Sequence, residues 1–109
     1  MPTETAAPRF GLDLATQQQI NQTFAVFPQI ERVTLYGSRA KGNYRPGSDI
    51  DLAISAHGMT QDQLCDLENR LDDLLLPYKI DLCLIDQIDN PDVLAHIERV
   101  GQVFYPAAA

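Results

Sequence analysis

Asp49, Asp51 and Asp81 are the residues of this sequence whose type and spacing could do chemistry. Asp49 and Asp51 alternate with Ile50, Leu52 and Ile54 in DIDLAIS (49–55), and Asp81 alternates with Ile80, Leu82 and Leu84 in KIDLCLI (79–85). Both segments read as strands with one apolar face. Neighbouring strands lie about 5 Å apart and same-face residues about 7 Å apart, so the three carboxylates converge if the strands are adjacent. Crowded like charges raise one another's pKa unless a cation neutralises them. Hard divalent cations choose carboxylate oxygen, and Mg²⁺ keeps waters and substrate phosphates as its other ligands. Two such ions about 4 Å apart can clamp the entering and leaving oxygens of a phosphoryl transfer.

The loop ahead of the first aspartates supplies a matching anion site. Gly37 directly follows the strand-like RVTLY (32–36), so backbone amides can approach a phosphate, and Ser38 adds a hydroxyl donor at the start of a short helix. Arg39, Lys41 and Arg45 bring positive charge and are expected to hold the β- and γ-phosphates of a nucleotide and stabilise departing pyrophosphate. A P-loop is excluded, because that motif needs lysine and Ser/Thr after its last glycine, and here Asn43 and Tyr44 follow Gly42. Plainer readings stand beside these. Alternating aspartates can be the solvated face of an edge strand, and loop cations can serve solubility. His57 and His96 are isolated and read as structural or exposed, Tyr36 reads as core, and Tyr44 either stacks on a base or covers the loop.

Elements able to position these groups follow from periodicity. Ile20, Phe24 and Phe27 predict an amphipathic helix ended by Pro28. Thr60 and Gln63 predict a capping box, with a stripe of Leu64, Leu67, Leu71 and Leu74 running to about Leu75. That stripe reads as core, with a partner helix as a further use. Asn90-Pro91 predicts a cap and first-turn proline, followed by Val93, Ile97 and Val100 in a helix stopped by Gly101. The order helix, strand, short helix, strand, helix, strand, helix describes an α+β fold, an α/β sandwich in which about four helices cover a small mixed sheet. Residues 1–12 and 106–109 read as tails around a single domain at 13–105.

Composition sets limits. The 109 residues carry a net charge of −7, from 8 basic and 15 acidic side chains, which argues against direct binding to a nucleic-acid backbone. With 45% apolar residues there is enough for one modest core. Cys65 and Cys83 lack disulfide or zinc spacing and read as two buried, reduced thiols. The opening MPTETAAPRF has no apolar signal region, and no run nears the ~18 apolar residues needed to span a bilayer, so a soluble cytoplasmic protein is expected.

GSRAKG, five residues, SDIDL and then the aspartate of KIDL together resemble the minimal nucleotidyltransferases (MNT) of the DNA polymerase β superfamily, with ten residues between Ser38 and Asp49. The resemblance implies the nucleotidyltransferase fold, with Asp49 and Asp51 ligating two Mg²⁺ ions. It also implies that Asp81 completes the metal site and helps deprotonate the attacking hydroxyl, while Gly37 and Ser38 position the triphosphate of ATP. AMP would be transferred and pyrophosphate released. Larger members carry an acceptor-binding domain for which this chain has no residues, so another chain is expected to bring the acceptor. Chains of this size resemble the antitoxin half of HEPN/MNT toxin–antitoxin pairs, in which AMP is added to a tyrosine of the HEPN ribonuclease toxin. The alternatives are an antitoxin that neutralises its toxin by binding alone, and a small-molecule adenylyltransferase acting on an antibiotic hydroxyl.

Overall fold

The computed structural model of the chain describes residues 10–45 and 47–106. Helix α1 (Leu14–Ala25) begins where the Asp13 carboxylate accepts the Thr16 amide at 2.8 Å. Ile20 and Phe24 lie on its buried side; the helix stops at Ala25, short of Pro28, and Phe27 reaches the core from the turn beyond. Strand β1 (Ile30–Tyr36) runs into the one-turn helix α2 (Ser38–Lys41), and strand β2 (Ile50–Ala56) follows the loop. Helix α3 (Gln61–Asp72) opens with the expected reciprocal cap: the Gln63 amide donates to the Thr60 hydroxyl and the Thr60 amide to the Gln63 side chain. Strand β3 (Ile80–Leu84) leads through a 3₁₀ turn (Ile85–Gln87) to helix α4 (Pro91–Val100), capped by Asn90, and to strand β4 (Gln102–Tyr105).

The strands form one sheet in the order β3-β2-β1-β4. β2 and β3 are parallel, with α3 as their crossover, whereas β1 is antiparallel to both β2 and β4. One sheet face carries Val33, Leu35, Ile50, Leu52 and Ile54, all buried against Ile20 and Phe24 of α1 and Leu64, Leu67 and Leu71 of α3. Burying a side chain of that size stabilises the fold by roughly 1.5–3 kcal/mol, so this face supplies most of the cohesion. By alternation the opposite face carries Thr34 and Tyr36 from β1, Asp51 and Ala53 from β2, and Asp81 and Cys83 from β3. α4 covers part of that second face: the His96 ring meets the Tyr36 ring edge-on, centroids 6.4 Å apart. A side chain at Gly101 would strike the Thr34 methyl group.

Several expectations are corrected. β4 lies beyond the helix stop at Gly101, where the sequence reading has no element, because a four-residue strand shows no period and is defined by pairing with β1. In α4 the buried stripe is centred on Ile97 with Leu94 and Val100 half-buried, while Val93 is exposed. Ala53 is fully buried, so the polar face of β2 is interrupted between Asp51 and the half-buried Ser55. Cys65 is exposed and Cys83 is half-buried, both as free thiols. Of the expected N-terminal tail, residues 1–9 lie outside the described residues, whereas Leu12 is fully buried in the core. Residues 107–109 of the other tail also lie outside them. No helix among the described residues is long and apolar enough to cross a membrane.

Candidate active site

The parallel register of β2 and β3 pairs Asp51 with Asp81 as direct neighbours, and the antiparallel register pairs Asp51 with Tyr36 on its other side. Asp51 is therefore flanked by a carboxylate and by the residue that precedes the glycine turn. Gly37 has φ +75° and ψ −156°, a conformation open essentially to glycine alone. A Cβ added to Gly37 would collide with a carboxylate oxygen of Asp51. The missing side chain is thus required twice, by the backbone angle and by the carboxylate packed against the turn.

Electrostatics single out the same residue. The Asp51 carboxyl is held above its ordinary pKa, first by burial and then by the nearby carboxylates of Asp81 and Asp49 and a shared hydrogen bond with Asp81; Lys79 works in the opposite direction. The Lys79 ammonium lies 3.8 Å from Asp81, with both side chains substantially exposed, so this ion pair is a weak offset. Asp49 sits one residue ahead of β2 and is exposed, close enough for its charge to act on Asp51. The amide of the intervening Ile50 donates to the Lys79 carbonyl at 2.9 Å, which ties the entry of β2 to β3.

The loop residues separate into two groups. Ser38 is half-buried at the start of α2, where first-turn amides have no partner inside a helix. Lys41 and Arg45 are exposed. Arg39 departs from the phosphate-binding expectation: it is 2% exposed. Its Nε and Nη2 donate to the Ser48 carbonyl at 3.1 and 2.9 Å, and its Nη1 donates to the Phe10 carbonyl at 2.7 Å. Its guanidinium lies over the rings of Tyr44 and Tyr78. Buried to this degree, with three of its five N–H groups on backbone carbonyls, the guanidinium is closed to a phosphate. Tyr44 accordingly covers the arginine.

Sequence reasoning passed over two neighbours of the aspartates. Tyr36 shares their sheet face and its hydroxyl lies 3.6 Å from the Cys83 sulfur, which in turn lies 3.8 Å from the Leu52 carbonyl. Burial first, then Cys83, pushes the Tyr36 hydroxyl's pKa well up, so it stays protonated beside the acidic pair. The signal available in sequence was the i, i+2 alternation placing Cys83 on the face of Asp81. A cleft of about 470 Å³ opens beside Asp81, bounded by Glu68, Asn69 and Asp72 of α3 and by Tyr78 and Lys79.

Among the described residues no group of three or more His, Cys, Asp or Glu side chains forms a ready cage for a metal ion. The donor set nevertheless suits Mg²⁺, which is commonly held by one or two carboxylates with substrate phosphates completing its shell. Asp51 and Asp81 are hard oxygen donors side by side, and their mutual repulsion, which adds to burial in raising the Asp51 pKa, is what a divalent cation would relieve.

The fold has counterparts among known proteins. Residues 18–108 match the model of the family described as Polymerase beta, Nucleotidyltransferase. Among solved structures, a toxin–antitoxin complex with AMP-PNP superposes with a TM-score of 0.67 at 20% identity, covering 82% of this chain and 72% of that one. The complex of an MNT antitoxin with tri-AMPylated Shewanella oneidensis HEPN toxin gives 0.62 at 17% identity, covering 84% and 70%. The MntA–HepT toxin–antitoxin complex gives 0.61 at 17% identity, with the same coverage. At these identities the likeness is one of fold. No curated protein matches the chain in sequence.

Proposed function

The chain belongs to the polymerase β nucleotidyltransferase family, and from that premise we propose that it transfers AMP from ATP to a tyrosine hydroxyl of a HEPN-type ribonuclease, as the antitoxin of a toxin–antitoxin pair. The observation that carries the transfer chemistry is the packing of the Gly37 turn directly against Asp51, with Asp81 in register beside it. The turn offers backbone amides and the Ser38 hydroxyl to a triphosphate, and the exposed Lys41 and Arg45 give the loop its positive charge. Asp49, Asp51 and Asp81 would hold Mg²⁺, which when bound neutralises charge on the phosphates and on the departing pyrophosphate. Asp81, exposed at the cleft, accepts the proton of the attacking tyrosine as its oxygen bonds to the α-phosphorus. The bond from the α-phosphorus to the bridging oxygen breaks, and pyrophosphate leaves with that electron pair.

The partner is supported by the solved complexes that share the fold, one of which contains a HEPN toxin carrying three AMP groups. Incubating the chain with ATP, Mg²⁺ and a HEPN protein encoded beside it should add the mass of AMP to the partner, located on tyrosine by peptide mass spectrometry. An unmodified partner that the chain still neutralises would replace this reading with inhibition by binding.

A further inference from the structure

Among the described residues Arg39 is the one charged side chain that is buried, and none of their carboxylates pairs with it. Burying a guanidinium is costly unless its donors are satisfied. Here three of its five N–H groups donate to the Ser48 and Phe10 carbonyls, and two aromatic rings lie against it, with the guanidinium carbon 5.2 Å from the Tyr44 ring centre and 4.9 Å from that of Tyr78. These contacts join four separate stretches of chain: the segment before α1, the site loop, α2 and the α3–β3 connection. Glycine at position 11, with φ +74°, leaves the room this needs, since a Cβ there would collide with the Tyr44 ring and lie 2.9 Å from the arginine Nη1.

The two ends of the clamp matter for the site. Arg39 follows Ser38 of the phosphate-facing turn, and its double hydrogen bond ends on Ser48, the residue before Asp49. Ser48 is held again by Arg45, whose amide donates to the Ser48 hydroxyl at 2.8 Å and whose carbonyl accepts the Ser48 amide at 2.9 Å. We propose that Arg39 is a positioning residue that fixes Asp49 relative to the Gly37–Ser38 turn and never touches the nucleotide. The inference rests on the transferase reading of the site. Lysine cannot replace it, because a single ammonium cannot span both carbonyls or lie flat between two rings.

The experiment uses the full chain with Arg39→Lys, and with Tyr44→Leu, a change at the exposed rim that removes one ring from the guanidinium. Hydrogen exchange is read at the amides of Gly47, Ser48 and Asp49, and AMP transfer is resolved into kcat and KM for ATP. Arg39→Lys should speed exchange at those amides but not in β1, and lower kcat by roughly 10- to 100-fold, the scale set by losing a supporting contact to a reactive group. KM should stay within about threefold, as expected when no ground-state contact to ATP is removed. Tyr44→Leu should move exchange in the same direction by less, which decides the matter if the lysine variant does not fold. A rise in KM with kcat intact would make Arg39 a phosphate ligand and overturn the proposal. So would unchanged exchange at 47–49 in either folded variant. If the wild type transfers no AMP, the reading of the site falls, while the exchange data still decide whether the clamp exists.

Discussion

Replacing Gly37 by alanine tests the site where backbone and chemistry meet. The glycine's φ of +75° and ψ of −156° cost a non-glycine residue about 1–3 kcal/mol, and the new methyl group must also displace the Asp51 carboxylate. For a chain of this size 1 kcal/mol corresponds to roughly 4–8 °C in Tm, so Gly37→Ala should lower Tm by about 4–24 °C. Gly42→Ala is the internal control. Gly42 also has positive φ, +86°, but no atom lies within 4 Å of an added Cβ, so this variant carries backbone strain alone. It should lose only about 1 kcal/mol and keep AMP transfer. Gly37→Ala, assayed at a temperature where it remains folded, should lose transfer by at least ~100-fold, because it displaces a carboxylate proposed to hold the metal. Thermal melts by circular dichroism and AMP incorporation by mass spectrometry read both quantities. If Gly37→Ala melts and transfers like Gly42→Ala, the contact between turn and carboxylate has no functional weight and the reasoning fails.

Asp51→Asn should raise Tm in the absence of divalent cations at neutral pH: a carboxyl whose folded pKa lies above the unfolded 3.8 destabilises the fold increasingly as pH rises through the interval between the two values. The gain should vanish below about pH 4, where both states are protonated, and wild-type melts from pH 3 to 8 with and without Mg²⁺ check the sign. Thr60→Ala removes half of the α3 capping box and should cost about 1 kcal/mol in urea unfolding with an unchanged m value. Cys65 should react with an aromatic disulfide in the native state well before Cys83, which is half-buried and in contact with Tyr36 and the Leu52 carbonyl.

The local features of this chain were readable in its sequence because their causes are local. The Thr60–Gln63 box, the Asn90-Pro91 start and the alternation in β2 and β3 each lie within one stretch of chain, and each formed as its spacing required. The exposure of Cys65 was also within reach, since it falls between Leu64 and Leu67 of the buried stripe and thus off that face. What the sequence concealed depends on distant partners. β4 is a strand because β1 is beside it, and Arg39 is buried because Phe10, Ser48 and Tyr78 arrive from three other stretches. A loop arginine surrounded by Gly, Lys and Asn gives no local sign of such a fate. The adjacency of Asp51 and Asp81, by contrast, needed only that the two alternating strands be neighbours, and the parallel register supplies that.

The central claim is that AMP is transferred at Asp51, which lies against the Gly37 turn, and at Asp81 beside it. The most direct measurement compares wild type with Asp51→Asn and Asp81→Asn, each first shown to be folded, for AMP incorporated per minute into the proposed HEPN partner at saturating ATP and Mg²⁺. Each substitution should lower the rate by at least ~100-fold without weakening the complex between the two proteins. Rates close to wild type in either folded variant would contradict the claim and move the chemistry away from this pair of strands.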